Sequence, residues 1–216
     1  MTGIALRVRA SSVCKSSPFI EICQGTLALL YQTEKPAQDW AETQNSLGIT
    51  LEDLGIRSAA EEGRKLLTEA VAAYRSALEV YTREQLPQDW AMTQTNLGLA
   101  LWQQGLQSGG TQAAELLGQA VAAYRSALEV FTREQFPQQW AITQTTLSDA
   151  LGSLSNQLGG KEGLKNKREA VELLRDVMSH QSDDLSRYRL ASALGSLAFN
   201  LVLNCQFAEA RAQCLG

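Results

Sequence analysis

The feature that most restricts how this chain can fold is an internal repeat with a period of 50 residues. The segment "AVAAYRSALEVYTREQLPQDW" at 70–90 returns at 120–140 as "AVAAYRSALEVFTREQFPQQW", with three substitutions. A catalytic site is needed only once, whereas a repeated surface indicates a structural unit that stacks on copies of itself. The same shift aligns further columns without a gap: Trp40, Trp90 and Trp140; Leu47, Leu97, Leu147 and Leu197; Leu51, Leu101, Leu151 and Leu201; Ala70, Ala120 and Ala170; Arg75, Arg125 and Arg175.

The composition indicates that the repeated unit is helical. Ala, Leu, Gln and Glu are abundant, β-branched runs are scarce and there are four prolines, and such residues lose little side-chain freedom in a helix. An apolar fraction of 44% and a net charge of −4 suit an ordinary globular or repeat protein rather than a disordered chain. We therefore predict an all-α protein.

Each unit is predicted to hold two helices, A and B. Helix A should begin just after a proline such as Pro87 or Pro137, because proline cannot continue the preceding helix but suits a first helical turn, and should end at Gly55 or Gly105. Helix B should be about 24 residues long, or about 36 Å. The residues at helical spacing on the two buried faces are Trp40, Gln44, Leu47, Gly48, Leu51 and Leu54 on the first A helix, and Leu67, Ala70, Val71, Tyr74, Ala77, Leu78 and Tyr81 on the first B helix.

Two local features complete the predicted unit. "SAAE" at 58–61 is typical of a capping box at the start of helix B. Arg75, Glu79 and Arg83 are spaced for i, i+4 ion pairs on its exposed face.

These patterns resemble the tetratricopeptide repeat. The resemblance rests on "LGITLEDLG" at 47–55 and "LGLALWQQG" at 97–105, followed in the first unit by Ala70, Tyr74 and Ala77. That repeat usually has a period of about 34, so both helices and the turn are extended here. Extended repeats of this kind resemble the arrays of large bacterial proteins that also carry a caspase-like peptidase or a nucleotide-binding signalling domain, and neither domain is recognisable in this sequence.

The resemblance implies a right-handed superhelical solenoid of stacked antiparallel helix pairs. The expected organisation is a partial N-terminal repeat or cap at 1–37, repeats at 38–87, 88–137 and 138–187, and an incomplete C-terminal repeat at 188–216. In this family helix A lines the concave groove. The positions off its buried stripe are therefore the expected peptide-binding residues: Glu42, Asn45, Ile49, Glu52, Met92, Thr95, Leu99, Trp102, Ile142, Thr145 and Asp149.

The charge of these positions restricts the ligand. No Lys or Arg occurs at 38–55, 88–105 or 138–155, so the groove lacks the cationic donors that an anionic peptide terminus requires. We expect a protein or peptide partner that is neutral or basic rather than acidic. Met92, Leu99 and Trp102 would add an apolar strip, although Trp102 could instead pack on a neighbouring helix. The column of Trp40, Trp90 and Trp140 is expected in the core.

Other chemistry has weaker support in the sequence. His180, the single histidine, accompanies no nucleophile motif and is interpreted as a loop or helix-end residue. The cluster of Lys161, Lys165, Lys167 and Arg168 is interleaved with glutamates, which favours a solvated helix face over phosphate binding. We therefore expect no catalytic residues, no cofactor, no metal site, and no nucleic-acid or membrane partner. The cysteines at 14, 23, 205 and 214 form no C-x-x-C pair, and we interpret them as free thiols of a cytoplasmic protein.

The sequence thus predicts a non-catalytic scaffold for protein or peptide binding. Two alternatives stay open: a regulatory or sensor fragment of a larger signalling protein, and a self-assembly module. The second follows from the strongly apolar segment "LASALGSLAFNLVLN" at 190–204, which the short segment after it could shield only in part. We expect a homodimer through this C-terminal unit, or else a further downstream segment that would cover it.

Overall fold

The computed structural model describes residues 37–180, residue 189 and residues 192–195. Within these ranges the chain is helical and contains no strand, as the sequence predicts. Six complete helices follow one another: α1 Ala37–Arg57, α2 Ala60–Ala77, α3 Pro87–Leu106, α4 Gly110–Leu128, α5 Pro137–Leu158 and α6 Gly160–His180. The partial N-terminal repeat, the four cysteines and most of the C-terminal unit with its predicted dimer contact lie outside the described residues.

The helices form three pairs in which an A helix packs on the B helix that follows it. The A helices are α1, α3 and α5, and the B helices are α2, α4 and α6. Helix α2 also packs on α3, and α4 packs on α5, so each pair contacts the next one along the chain. The A helices of neighbouring pairs touch as well. Hereafter these pairs are called units one, two and three.

Proline and glycine set the helix boundaries. Pro87 and Pro137 occupy the first turns of α3 and α5, as predicted. At the turns into α4 and α6, Gly110, Gly159 and Gly160 have φ values of 59°, 63° and 50°, which a residue with a Cβ adopts only with strain. In unit one the corresponding turn ends at Ala59, whose side chain cannot cap α2. The predicted capping box is therefore wrong.

The B helices are shorter than predicted, with 18, 19 and 21 residues. At the end of α2 the N–H groups of Glu79 and Val80 bond to carbonyls three residues back, which tightens the final turn. The Thr82 hydroxyl then accepts a hydrogen bond from the Gln85 N–H at 3.2 Å. Thr132 and Gln135 repeat this contact at 3.3 Å. A polar turn thus replaces the last part of the expected helix.

One apolar core runs through all three units. Its largest members come from the predicted stripes and include Leu47, Leu51, Tyr74, Leu97, Leu101, Tyr124, Leu147 and Leu151. The A and B helices approach closely where glycine faces tyrosine. A Cβ built on Gly48 would lie 2.5 Å from Tyr74 Cε1, and one on Gly98 would lie 2.8 Å from Tyr124 Cε1. Glycine at these two positions therefore allows the A and B helices to approach closely.

Arg75 and Arg125 of the B helices contact the next unit rather than their own helix. Arg75 donates to Gln119 Oε1 at 2.9 Å, and Arg125 reaches Glu169 at 2.6 Å. Arg83, which lies beyond the end of α2, pairs with Glu129. The predicted i, i+4 pairing of Arg75, Glu79 and Arg83 is therefore wrong, because Arg83 lies outside the helix and the long arginine side chains reach the next unit. Exposed pairs of this kind contribute about 0–1 kcal/mol each.

Candidate functional site

The eleven predicted groove residues all lie on the A helices, but they differ widely in exposure. We call the side of α1, α3 and α5 that carries them the A-helix face. Glu42, Ile49, Met92 and Ile142 are exposed; Asn45, Thr95, Leu99, Trp102 and Asp149 are half-buried; Glu52 and Thr145 are buried. A ligand on this face would meet the first group directly and the last group not at all.

An acidic recess lies between α1 and the start of α3. It has a volume of about 450 Å³, and its lining includes Asp39, Glu42 and Asp89 together with Met92. Tyr81 also lines it. Burial raises the pKa of Tyr81, and the negative charges of Asp89 and Glu42 raise it further. Among the residues that the structure describes, no Lys or Arg lines this recess, so it combines concentrated negative charge with one apolar wall.

Asn45, which also lines the acidic recess, is held in place by hydrogen bonds to α3. Its Oδ1 lies 3.3 Å from Thr93 Oγ1 and 3.3 Å from Asn96 Nδ2, and both groups donate to it. Because Thr93 and Asn96 belong to α3, these hydrogen bonds connect the A helices of units one and two. Asn45 therefore helps to position the wall that carries Glu42.

Exposed apolar side chains continue along the A-helix face. Ile49 is 49% exposed, Met92 45% and Ile142 61%, and Met92 and Ile142 occupy the same repeat position. Ile56 and Leu106 share another repeat position and are also exposed. This second pair is not among the predicted groove residues, although its 50-residue spacing outside the buried stripe was the available signal. These repeated exposed positions would form an interaction surface if a partner covered them together, since contiguous apolar patches mark such surfaces.

The structure corrects the predicted position of Glu52. Its side chain is only 7% exposed, and Tyr74 donates its hydroxyl hydrogen to Glu52 Oε2 at 2.9 Å. Burial raises the Glu52 pKa to about 7, and the nearby charge of Asp53 acts in the same direction, whereas the Tyr74 hydrogen bond opposes them. Glu52 therefore belongs to the packing between α1 and α2 and does not line a groove.

The side chains of Thr145 and Trp102 also make contacts within the protein instead of pointing freely into a groove. The Thr145 hydroxyl donates to the Ala141 carbonyl at 2.7 Å and is buried, so its predicted groove position is wrong. The Trp102 ring packs against the main core. Its Nε1 donates to Ser153 Oγ at 3.0 Å, which places the indole across the boundary between units two and three.

The tryptophan column is buried unevenly. Trp140 is 7% exposed, and its ring meets the His180 ring edge-on with centroids 5.9 Å apart. Trp40 and Trp90 are half-buried against smaller apolar clusters. The core prediction is therefore confirmed for Trp140 and only in part for the other two. His180 is the last residue of α6, as expected of a helix-end histidine.

The lysine-rich stretch of α6 is not a uniformly solvated face. Lys161, Lys165 and Arg168 are exposed, but Lys167 is only 5% exposed. Lys167 occupies the repeat position of Leu67 and Leu117, which face the core. Its assignment to a solvated face is therefore wrong, because the repeat register outweighs the local charge pattern.

The described residues contain no group of three or more His, Cys, Asp or Glu side chains placed to hold a metal ion. None of the helices in the described part of the chain is both long and apolar enough to cross a membrane. No known protein-family model matches the sequence, and a search of curated proteins found no match either.

Proposed function

We propose that the chain is a non-catalytic helical solenoid, similar to tetratricopeptide-repeat proteins, that binds a protein or peptide through its A-helix face. The repeated helix pairs support this proposal, since each pair packs on the next and none could bury its apolar stripe alone. The A-helix face also carries exposed apolar side chains, which are available for contact with a partner.

The observation that carries the proposal is the acidic recess next to exposed apolar side chains. Asp39, Glu42 and Asp89 surround a space of about 450 Å³ with Met92 at its edge. A Lys or Arg side chain would bring complementary charge to this recess, whereas an acidic side chain would be repelled. The expected partner is therefore basic, or neutral with at least one basic residue.

The apolar side chains suggest how the rest of the partner would lie. Met92 and Ile142 are exposed on successive A helices, and Ile49 is exposed on α1 about one turn beyond the recess lining. Apolar residues of an amphipathic helix or an extended peptide could cover these side chains while a basic residue enters the recess. We propose that charge selects the ligand and that apolar contact supplies much of its affinity.

A peptide-display selection on the full chain tests this proposal. The selected peptides should be enriched in Lys or Arg adjacent to apolar residues. Their affinity, measured by fluorescence anisotropy, should fall as NaCl rises from about 0.05 to about 0.5 M, because salt screens the attraction. Enrichment of acidic peptides would contradict the proposal.

A matched pair of charge reversals locates the binding face. Glu42→Lys should weaken a selected basic peptide at least about tenfold, which corresponds to about 1.4 kcal/mol. Glu79→Lys makes the same change of net charge at an exposed residue just after α2 and should leave affinity within about twofold. Equal losses in the two variants would show a non-specific response to net charge and would reject the A-helix face as the binding surface.

A further inference from the structure

The acidic recess coincides with the differences between two otherwise identical segments of the chain. Residues 70–90 and 120–140 match except at three positions, where the first segment and then the second have Tyr81 and Phe131, Leu86 and Phe136, and Asp89 and Gln139. All three differing residues of the first segment line the recess, and no other residue of 70–90 does so. Substitutions that were independent of position would not collect in one lining. The recess therefore has its own chemistry within a repeated framework.

The counterpart of the recess, at the same repeat positions between units two and three, is far less polar. Phe131 and Phe136 meet there edge-on, with ring centroids 5.6 Å apart. Two of the three recess carboxylates are also replaced in the counterpart, where Glu42 corresponds to Met92 and Asp89 to Gln139. A cation that entered the counterpart would lose water without gaining equivalent acceptors. The features suited to a cation are therefore concentrated between units one and two.

Tyr81 supplies a polar group that the fold leaves without a partner. The residue is 7% exposed, and its hydroxyl makes no hydrogen bond within the part of the chain that the structure describes. Its oxygen still has accessible surface, unlike the fully enclosed hydroxyl of Tyr124. Burial raises the pKa of Tyr81, and the charges of Asp89 and Glu42 raise it further, so the phenol group lies near both carboxylates. A neutral hydroxyl in this position can accept a hydrogen bond from a bound cation.

The acceptors of the recess come from three separate segments. Glu42 belongs to α1, Asp89 to the first turn of α3, and Tyr81 to the turn after α2. Neither carboxylate forms an ion pair with any residue that the structure describes. An alkylammonium group carries three N–H donors that point in different directions, whereas a planar guanidinium is best matched to the two oxygens of one carboxylate. Dispersed acceptors of this kind favour the ammonium group.

We propose that the acidic recess binds the primary ammonium group of a lysine side chain in preference to arginine. The ammonium donates to Glu42, Asp89 and the Tyr81 hydroxyl. The lysine methylenes pack on the apolar side chains of Leu86 and Met92, which line the same recess. This inference rests on the proposed function and deepens it, because it identifies the selected basic residue as lysine and assigns it to the boundary between units one and two.

The test uses the full chain with the side-chain analogues n-butylammonium and n-butylguanidinium, and with butan-1-ol as the uncharged control. Binding is followed by the NMR shift of the isotope-labelled Met92 methyl group, assigned with Met92→Leu, while Met178 on α6 reports non-specific effects. The ammonium should give a saturable Met92 shift with a Kd of about 10 mM or tighter. The guanidinium should bind at least about threefold more weakly, and the alcohol should give no saturable shift. Absence of saturable ammonium binding, or equal affinity for the guanidinium, would overturn the proposal.

A matched pair of hydroxyl deletions tests the part played by Tyr81. Tyr81→Phe introduces the residue that unit two accommodates at 3% exposure, so the variant should fold. It should weaken n-butylammonium at least about fivefold and leave n-butylguanidinium within about twofold. Tyr124→Phe removes a hydroxyl that does not line the recess and should leave both affinities unchanged. Unchanged ammonium affinity in Tyr81→Phe, or equal losses in the two variants, would reject the assigned contact.

A lysine-containing peptide from the display selection separates failure of this inference from failure of the proposed function. Replacing its lysine by arginine should weaken binding to the wild-type chain at least about fivefold, and binding to Tyr81→Phe by no more than about twofold. A peptide that loses affinity for Glu42→Lys but binds equally well with arginine would overturn the lysine site and leave the proposed function standing. Selection of arginine peptides alone would have the same meaning. Selected peptides that are all insensitive to Glu42→Lys would reject both.

Discussion

At the scale of single residues, the buried Glu52 makes stability depend on pH. Burial raises its pKa to about 7 from an ordinary value of 4.5. Between these values the folded protein binds more protons at Glu52 than the unfolded chain does. The contribution of Glu52 therefore lowers the free energy of unfolding as pH rises from about 4.5 to about 7, and levels off above that range.

Glu52→Gln should remove this dependence. The amide cannot ionise, and its oxygen can still accept the Tyr74 hydrogen bond. We expect the variant to be more stable than wild type at pH 8, by about 2 to 4 kcal/mol, and to show little advantage at pH 4.5. Urea titrations at the two pH values measure the difference. Glu62→Gln, at an exposed carboxylate on α2, is the control, and the same pH dependence in both variants would contradict the assignment to Glu52.

The two buried tyrosines should respond differently to loss of the hydroxyl group. Tyr74 donates to Glu52, so Tyr74→Phe leaves a buried carboxyl without its partner and should cost about 1 to 3 kcal/mol. The Tyr124 hydroxyl has no hydrogen-bond partner among the described residues. Tyr124→Phe should therefore be neutral or stabilising. Equal destabilisation of the two variants in urea would refute this distinction.

At the scale of helices, glycine at the contact between α3 and α4 sets how closely they pack. Gly98→Ala would place a Cβ 2.8 Å from Tyr124 Cε1, so the helices would have to separate or the ring would have to move. We expect a loss of about 1 to 3 kcal/mol from overpacking. The measurement is the midpoint of thermal or urea unfolding.

Gly118→Ala is the matched control for that substitution. Gly118 lies inside α4, and a Cβ there would meet nothing within 4 Å. Alanine should therefore stabilise the helix by about 0.5 to 1 kcal/mol through its higher helix propensity. If both alanines stabilise the protein, the close contact between Gly98 and Tyr124 does not limit helix packing.

At the scale of the whole molecule, unit two should couple the stability of the other two units. It contacts unit one through α2 and α3 and unit three through α4 and α5. Leu101→Ala removes a side chain that is 2% exposed in the shared core and should cost about 2 to 5 kcal/mol. Hydrogen exchange should then accelerate in α2 and α5 as well as in α3 and α4.

Leu51→Ala provides the comparison, because Leu51 is equally buried at the corresponding position of unit one. Its effect on exchange should be greatest in α1 and α2 and should weaken towards α6, since contacts pass mainly between neighbouring units. An identical exchange pattern in the two variants would indicate one indivisible cooperative unit instead.

The sequence by itself determined the features that depend on local pattern and on the repeat. The 50-residue period, the proline starts of α3 and α5 and the buried stripe of Leu47, Leu51 and Tyr74 were predictable because helical periodicity selects the face that must leave water. The charge of the A helices was also readable, since it needs no knowledge of packing. The all-helical class follows from the same local preferences.

Tertiary structure alone decided which side chains off that stripe meet a neighbouring helix. One repeat position is occupied by Glu52, Trp102 and Gly152. Glu52 accepts a hydrogen bond from Tyr74 on the next helix, Trp102 donates one to Ser153 of the next unit, and Gly152 borders a cavity. Each outcome depends on the side chains that the next helix presents at that position and on the distance between the helix axes. A linear pattern records spacing along one helix, whereas these contacts join residues on helices that only packing brings together.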